Sequence, residues 1–418
     1  MNEMKAIQIL LCAILFSSFS CQKEEDMEPN LKPKPPEVSP KPTLVWKASL
    51  HPNKTPCSSL PPVLFEDKVI FGAVRYSTTE NMQIMALSKE GAIGLWTWRE
   101  WKHHAARPTE RHAFCVSEPF LILSYPREIH KVDIRTGKTV WSDFRPDTTG
   151  GENRVNTFGD MFLTTHEDIG KDFSALVRCN ISQFQGWDTI HSAFRGADNF
   201  TPNFCSPSAA LAPWGDTLLV FQDRSVNFKS GQGRITMYGY NLTADSVLWK
   251  TLLPERNSNV ALPLIEGDRV YFQTDIAVYC FNLLTGQVVW RQDFGGGHGF
   301  LTTNLLIVGE KLIAGPHDTD LFAVDKMTGK VIWRNVDSGG SRNYMVHYKG
   351  RIYFTAMGSA KLHCVDLATG INIFAERPPT AVDDDRASYF DAEIAIDEAT
   401  GLLYTHDRFH ALCLKLPE

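Results

Sequence analysis

The residues with the most chemical potential in this chain are histidines placed beside carboxylates. His166-Glu167-Asp168, His317-Asp318 and His406-Asp407 each join an imidazole to an acid, the pairing from which general acid–base catalysis is assembled. All three fall at one place in the repeating pattern described below, the loop after a second strand, which puts them on one face of the molecule. Turn formation by Asp beside an exposed His is the plainer reading. His103, His104 and His112 lie in a polar stretch without zinc-motif spacing, and a solvated loop accounts for them, so no metal is expected. Gly295-Gly296-Gly297-His298-Gly299 joins two strands, so it lacks the helix dipole that holds a phosphate. No GxSxG elbow, HExxH helix, P-loop or GxGxxG fingerprint occurs.

The cysteines point away from redox chemistry. Nine are present, none adjacent and none in a CxxC pair. Cys179, Cys280, Cys364 and Cys413 lie in runs that read as buried strands, where a thiol behaves as a small hydrophobe; one disulfide elsewhere stays open. Basic residues number 42 against 48 acidic, a net charge of −6, which gives no footprint for nucleic acid. With 43% hydrophobic and 11% aromatic residues the chain is an ordinary folded protein.

The elements that must position these groups come from an internal repeat. The phrase Asp or Asn, two residues, Thr-Gly, three residues, Trp occurs as Asp133 to Trp141, Asn282 to Trp290 and Asp325 to Trp333, and as Asp366 to Phe374 with Phe in place of Trp. Worn copies surround Trp96, Trp187 and Trp249, and Trp46 stands at the start. These aromatics recur about every 47 residues, and each unit holds four short strand signals. Four-stranded units of that length are propeller blades. The expected fold is all-β, an eight-bladed propeller of four-stranded antiparallel blades, with the orphan strand 43–50 completing a last blade that otherwise has three strands.

The repeat phrase resembles the tryptophan-docking motif of pyrroloquinoline-quinone-like β-propellers, and the resemblance spans residues 43–418. It implies that Trp141, Trp290 and Trp333, with Gly137, Gly286 and Gly329, are structural docking residues. It leaves docking open at blades one, three and four, which lack Thr-Gly. The quinone enzymes of that family carry a vicinal disulfide, a calcium shell and an Asp base; adjacent cysteines are missing here, so no cofactor is expected.

The amino terminus reads as an address. Lys5, an apolar run from Ala6 to Phe19, then Ser20-Cys21 form a signal peptide over 1–20 that is similar to a lipobox, with Cys21 acylated. Gln22-Lys23-Glu24-Glu25-Asp26 resembles the signal that sends Bacteroidetes lipoproteins to the outer face of the outer membrane. Residues 21–42, rich in proline, form a tether, and 43–418 a single domain. Residues 99–112, 75–83, 188–205, 166–173 and 222–234 read as long loops on one face, with Trp101, Phe194, Phe200 and Phe228 as contact aromatics. Arg154, Asn259, His298, Arg342 and Arg386 stand just before inner strands, where they are expected to ring the mouth of the central channel. Three guanidiniums there suit a carboxylate or sulfate, as in an acidic glycan; pairing with Asp383 to Asp385 is the alternative. The function expected is a monomeric, non-catalytic, surface-tethered lipoprotein binding a glycan or an outer-membrane protein. An extracellular polysaccharide lyase or hydrolase, or a quinoprotein-like enzyme, is the alternative.

Overall fold

The computed structural model describes residues 40–50, 57–75, 83–100, 114–124, 128–144, 156–168, 172–183, 186–255, 262–294, 303–315, 320–339, 343–356, 358–381, 390 and 392–418. Within them the strands form eight four-stranded antiparallel sheets. Seven are built from consecutive strands, over 57–98, 114–144, 156–194, 204–252, 264–293, 306–335 and 346–376, numbered blades one to seven. The eighth joins Ala395–Asp397, Leu402–His406 and His410–Lys415 to Thr43–Ser49, which pairs Thr43 with Lys415 and Ser49 with His410. The ring is therefore closed by the first strand of the domain. Second-to-third and blade-to-blade connections share one face, the upper; first-to-second and third-to-fourth turns share the lower.

The repeat phrase builds the lower turns. Asp325 Oδ1 accepts the amides of Met327 (3.0 Å) and Thr328 (2.7 Å) and the Thr328 hydroxyl (2.8 Å), and Gly329 closes the turn at φ +73°. Asn282 and Asp366 repeat this Asx geometry. A further copy, Asp397-Glu398-Ala399-Thr400-Gly401, forms the first turn of blade eight, where no third-to-fourth turn exists because the termini meet.

Hydrophobic burial is concentrated between blades: eight clusters of buried side chains each bridge two neighbours. Every outer strand carries a register irregularity one step before a ring that enters such a cluster. The rings are Trp46, Trp96, Trp141, Trp249, Trp290, Trp333 and Phe374, plus His191. Trp96, Trp249, Trp290 and Trp333 lie against Gly137, Gly286, Gly329 and Gly370 of the next blade, with a Cβ on Gly286 falling 2.4 Å from the Trp249 ring. Their indole N–H groups donate to Ile134, Leu283, Lys326 and Leu367 carbonyls at 2.8–3.1 Å. Trp46 docks in the same way on blade one, donating to Lys89 at 2.9 Å although that turn has no Thr-Gly.

The third-strand residue opposite these rings is small: Ala86, Gly239, Cys280, Ala323, Cys364 or Cys413. That placement explains why these three cysteines are buried and unpaired, with burial raising their thiol pKa values. The two exceptions are Lys131, opposite Trp141, and Leu176, opposite His191. Lys131 Nζ donates to Ile181 O at 2.6 Å, the carbonyl that elsewhere takes the indole.

Blade three departs from the sequence reading. Its expected marker, Trp187, lies before the outer strand, donates to Asp143 Oδ2 at 3.0 Å and meets Phe162 edge-on. The bulge between Leu176 and Val177 brings His191 into the docking slot instead, four residues later. Its imidazole sits among Phe204, Phe221, Tyr238 and Tyr240, with centroids 5.2–6.1 Å away.

Candidate functional site

Three of the segments expected to be loops contain strand, 188–205 because Asp188–Phe194 is the outer strand of blade three, and the other two, 166–173 and 222–234, make a wall on the upper face. Met161–Asp168 pairs with Phe173–Asn180, and Thr217–Asn227 with Gln232–Asn241, so blade four sends up a ladder that ends at the Asn227–Gln232 rung. Gly231, at φ +67°, permits the tight end. His166, Glu167 and Asp168 are therefore the end of a strand and not a loop, with the His166 ring 6.0 Å from Phe173.

Residues 195–203 are laid along this hairpin. Thr201 bridges Val226, and Arg224 donates its amide to Asn203 O at 2.8 Å. Arg195 holds Asp172 at 2.5 Å and the Thr201 hydroxyl at 3.1 Å. Arg234 holds Asp198 at 2.6 Å while its guanidinium covers Phe200 at 4.4 Å; that hydrogen bond lowers the Asp198 pKa. Beneath them, burial raises the Asp223 pKa although its carboxylate accepts Asn203 N (3.0 Å) and Ser225 Oγ (2.7 Å). Phe200 is thus a loop anchor. Phe194 and Phe228, each 66% exposed, are not covered.

The axis holds a cavity of about 320 Å³. Its wall comes from the inner strands of blades three to seven and the residues leading into them, including Asn156, Ser208, Leu262, Pro263, Asn304 and Tyr344. The polar side chains lace neighbouring inner strands together. Asn156 Nδ2 donates to Pro207 O at 2.9 Å, Ser208 Oγ to Pro263 O at 2.7 Å, and Asn304 both accepts from Met345 N and donates to Met345 O.

Arg154, Asn259, His298, Arg342 and Arg386, the ligand ring expected at the mouth of the central channel, all lie outside the described residues, as do Cys21, Trp101, His103, His104, His112, His317 and Asp318. His406 and Asp407 were expected at an exposed turn and are instead fully buried. Asp407 accepts Phe409 N (2.7 Å), the Thr380 hydroxyl, and His410 Nδ1 at 3.1 Å, and burial lowers the His406 pKa to about 4.

A set of ion pairs on the upper face went unread. Glu255, buried in the connection between blades four and five, accepts from Tyr279 Oη at 2.6 Å and Arg291 at 2.8 Å; Arg334 meets Asp320 likewise. Their signal was the Arg that directly follows Trp290 and Trp333.

Residues 207–344 match the family model described as outer membrane protein assembly factor BamB. No curated protein matches the sequence. Among solved structures, the chain is similar to a europium-containing methanol dehydrogenase, at 10% identity and TM-score 0.67, covering 88% of this chain and 85% of that one. Sqt1 of Saccharomyces cerevisiae aligns at 10% identity and TM-score 0.62 over 90% and 99% of the two chains. The computationally designed Ika8 protein aligns at 12% and 0.61 over 88% and 98%. At such identities these likenesses speak for the fold alone. With its docked rings, its eight blades and the matched segment, the chain is a pyrroloquinoline-quinone-like β-propeller.

Proposed function

We propose that the protein is a non-catalytic binding propeller, held at the outer membrane by acylated Cys21, which receives a partner protein on the wall of blades three and four. The observation that carries this reading is the pair Phe194 and Phe228, exposed on a scaffold that ion pairs and strand pairing hold in place. Exposed rings on a preorganised support are what protein interfaces use as anchors. The wall hairpin, 217–241, lies inside the segment that matches the outer-membrane assembly family, which supports both a protein partner and that membrane. The residues Lys23 to Asp26 favour its outer face.

Photo-crosslinking in intact cells tests this. A photoreactive residue at position 228 should give a discrete adduct with an outer-membrane protein. The same residue at Glu310, exposed on the lower face, should not. Phe194→Ala should weaken the adduct, and Cys21→Ala should release the chain from membranes. Equal labelling at 228 and 310 would remove the wall from consideration, and a membrane-bound Cys21→Ala variant would remove the anchor.

A further inference from the structure

We propose that the axial cavity is a binding site for a small, uncharged organic molecule with a largely apolar body, a site separate from the wall and independent of its partner. The volume, about 320 Å³, falls within the range of small-molecule sites. The lining decides the chemistry. Leu262, Pro263, Leu264, Ile265 and Leu305 give it an apolar side, and among the described residues no acidic or basic side chain lines it. A charged ligand would give up part of its hydration here without an ion pair from these residues to offset the loss.

Water is a poor occupant for the same reason. An ordered water needs two to four polar partners, whereas the amides of Asn156 and Asn304 and the hydroxyl of Ser208 already bond neighbouring strands. The longest of those bonds, Asn304 Nδ2 to Met345 O at 3.3 Å and Thr157 Oγ1 to Val116 O at 3.5 Å, are the ones a ligand hydroxyl or carbonyl could share. Collapse is prevented by the ring: inner strands of five blades form the wall, and each is fixed by its own sheet. The site therefore offers an apolar slot with one or two weakly held polar atoms, which suits a single neutral ring system or a short neutral chain.

The test uses the full chain carrying Cys21→Ala, so that no acyl group competes, and N-phenyl-1-naphthylamine, a neutral apolar fluorophore. The expected result is saturable enhancement with one site per chain. Leu262 lines the cavity outside the buried clusters, so Leu262→Trp fills the slot and should weaken binding at least tenfold, while Leu262→Ala keeps it. Phe194→Ala with Phe228→Ala should leave it unchanged, which separates this site from the wall. An anionic analogue, 8-anilinonaphthalene-1-sulfonate, should not displace the neutral dye. If Leu262→Trp lowers the melting temperature by more than a few degrees, xenon pressurisation of wild-type crystals gives the second reading, with an anomalous peak expected in the cavity. Absence of saturable binding, binding indifferent to Leu262→Trp in a folded variant, or binding lost with the two wall phenylalanines would each overturn the proposal.

Discussion

His191 stands 5.5 Å from Tyr238 across the junction of blades three and four, in the slot where the other seven outer strands place a tryptophan or phenylalanine. The substitution fits its surroundings. Leu176, opposite it, is larger than the Ala, Gly or Cys found under most of the indoles, and Tyr240 Oη donates to Ile190 O at 3.0 Å, a cross-blade bond that an indole would otherwise supply.

Burial, and then the charge on Lys250, lower the His191 pKa. His406, lowered by burial to about 4, behaves likewise. A histidine whose folded pKa is depressed takes up its proton more readily when the chain unfolds. The stability it contributes is complete above the ordinary value of 6.5 and is lost as pH falls towards the folded value. The protein should therefore lose on the order of 3 kcal/mol between pH 6.5 and 4 through His406, and more through His191. His191→Phe should be nearly neutral at pH 7.5 and more stable than wild type at pH 5. Urea melts at the two values check this; an unchanged acid slope would clear His191.

Gly286 is caught between backbone and ring. Its φ of +66° costs an alanine about 1–2 kcal/mol, and the Trp249 ring adds an overlap worth about 1–3 kcal/mol. Gly309 has a similar φ of +59° with nothing near the position of a Cβ. Gly286→Ala should thus cost at least twice as much as Gly309→Ala in denaturant melts. Equal losses would mean that the ring yields freely and that docking contributes little there.

The same contrast shows what the sequence made legible. A Thr-Gly pair followed by three residues and Trp is a local pattern, so Trp141, Trp290 and Trp333 announce their blades. The position of a bulge is not local. Trp187 stands seven residues after Asn180, one short of the eight in the other copies, and the slip of the ladder between Leu176 and Val177 gives the slot to His191. The polar run from Arg224 to Gly233 reads as a loop because strand and loop share its composition; pairing with residues 195–203, distant in sequence, makes it a wall. The axial cavity was invisible for a related reason, since its lining comes from five blades and no single repeat contains it.

Glu255 is a buried carboxylate, 1% exposed at its side chain, whose charge is met by Arg291 and Tyr279. Arg291→Ala leaves that charge without its cation, and removing one partner of a buried pair costs about 3–5 kcal/mol; the lower end applies because Arg291 itself is 33% exposed. Adding Glu255→Gln removes the orphaned charge and should recover at least half of the loss. Chemical denaturation of the single and double variants measures the difference. A double variant weaker than the single would show that Glu255 is held mainly by Tyr279.

Strand 43–49 contributes to the whole ring and not only to its own blade. Its Trp46 enters the cluster shared with blade one and donates to Lys89 O at 2.9 Å, Leu50 N donates to Phe409 O at 2.9 Å, and Gln83 of blade one donates to Leu50 O. Deleting 43–50 would expose the edge of His410–Lys415 and empty the slot that Trp46 fills between blades eight and one. The melting temperature should then fall by about 10 °C or more, since each kcal/mol shifts a domain of this size by only a few degrees. Deleting 22–42, the proline-rich segment that precedes this strand, should leave it nearly unchanged. Trp46→Ala separates ring docking from strand pairing, because it keeps the ladder and removes only the indole; an intermediate loss is expected. Equal melting temperatures for the two deletions would mean that the ring stays closed without its first strand, and that the eight interfaces hold independently of one another.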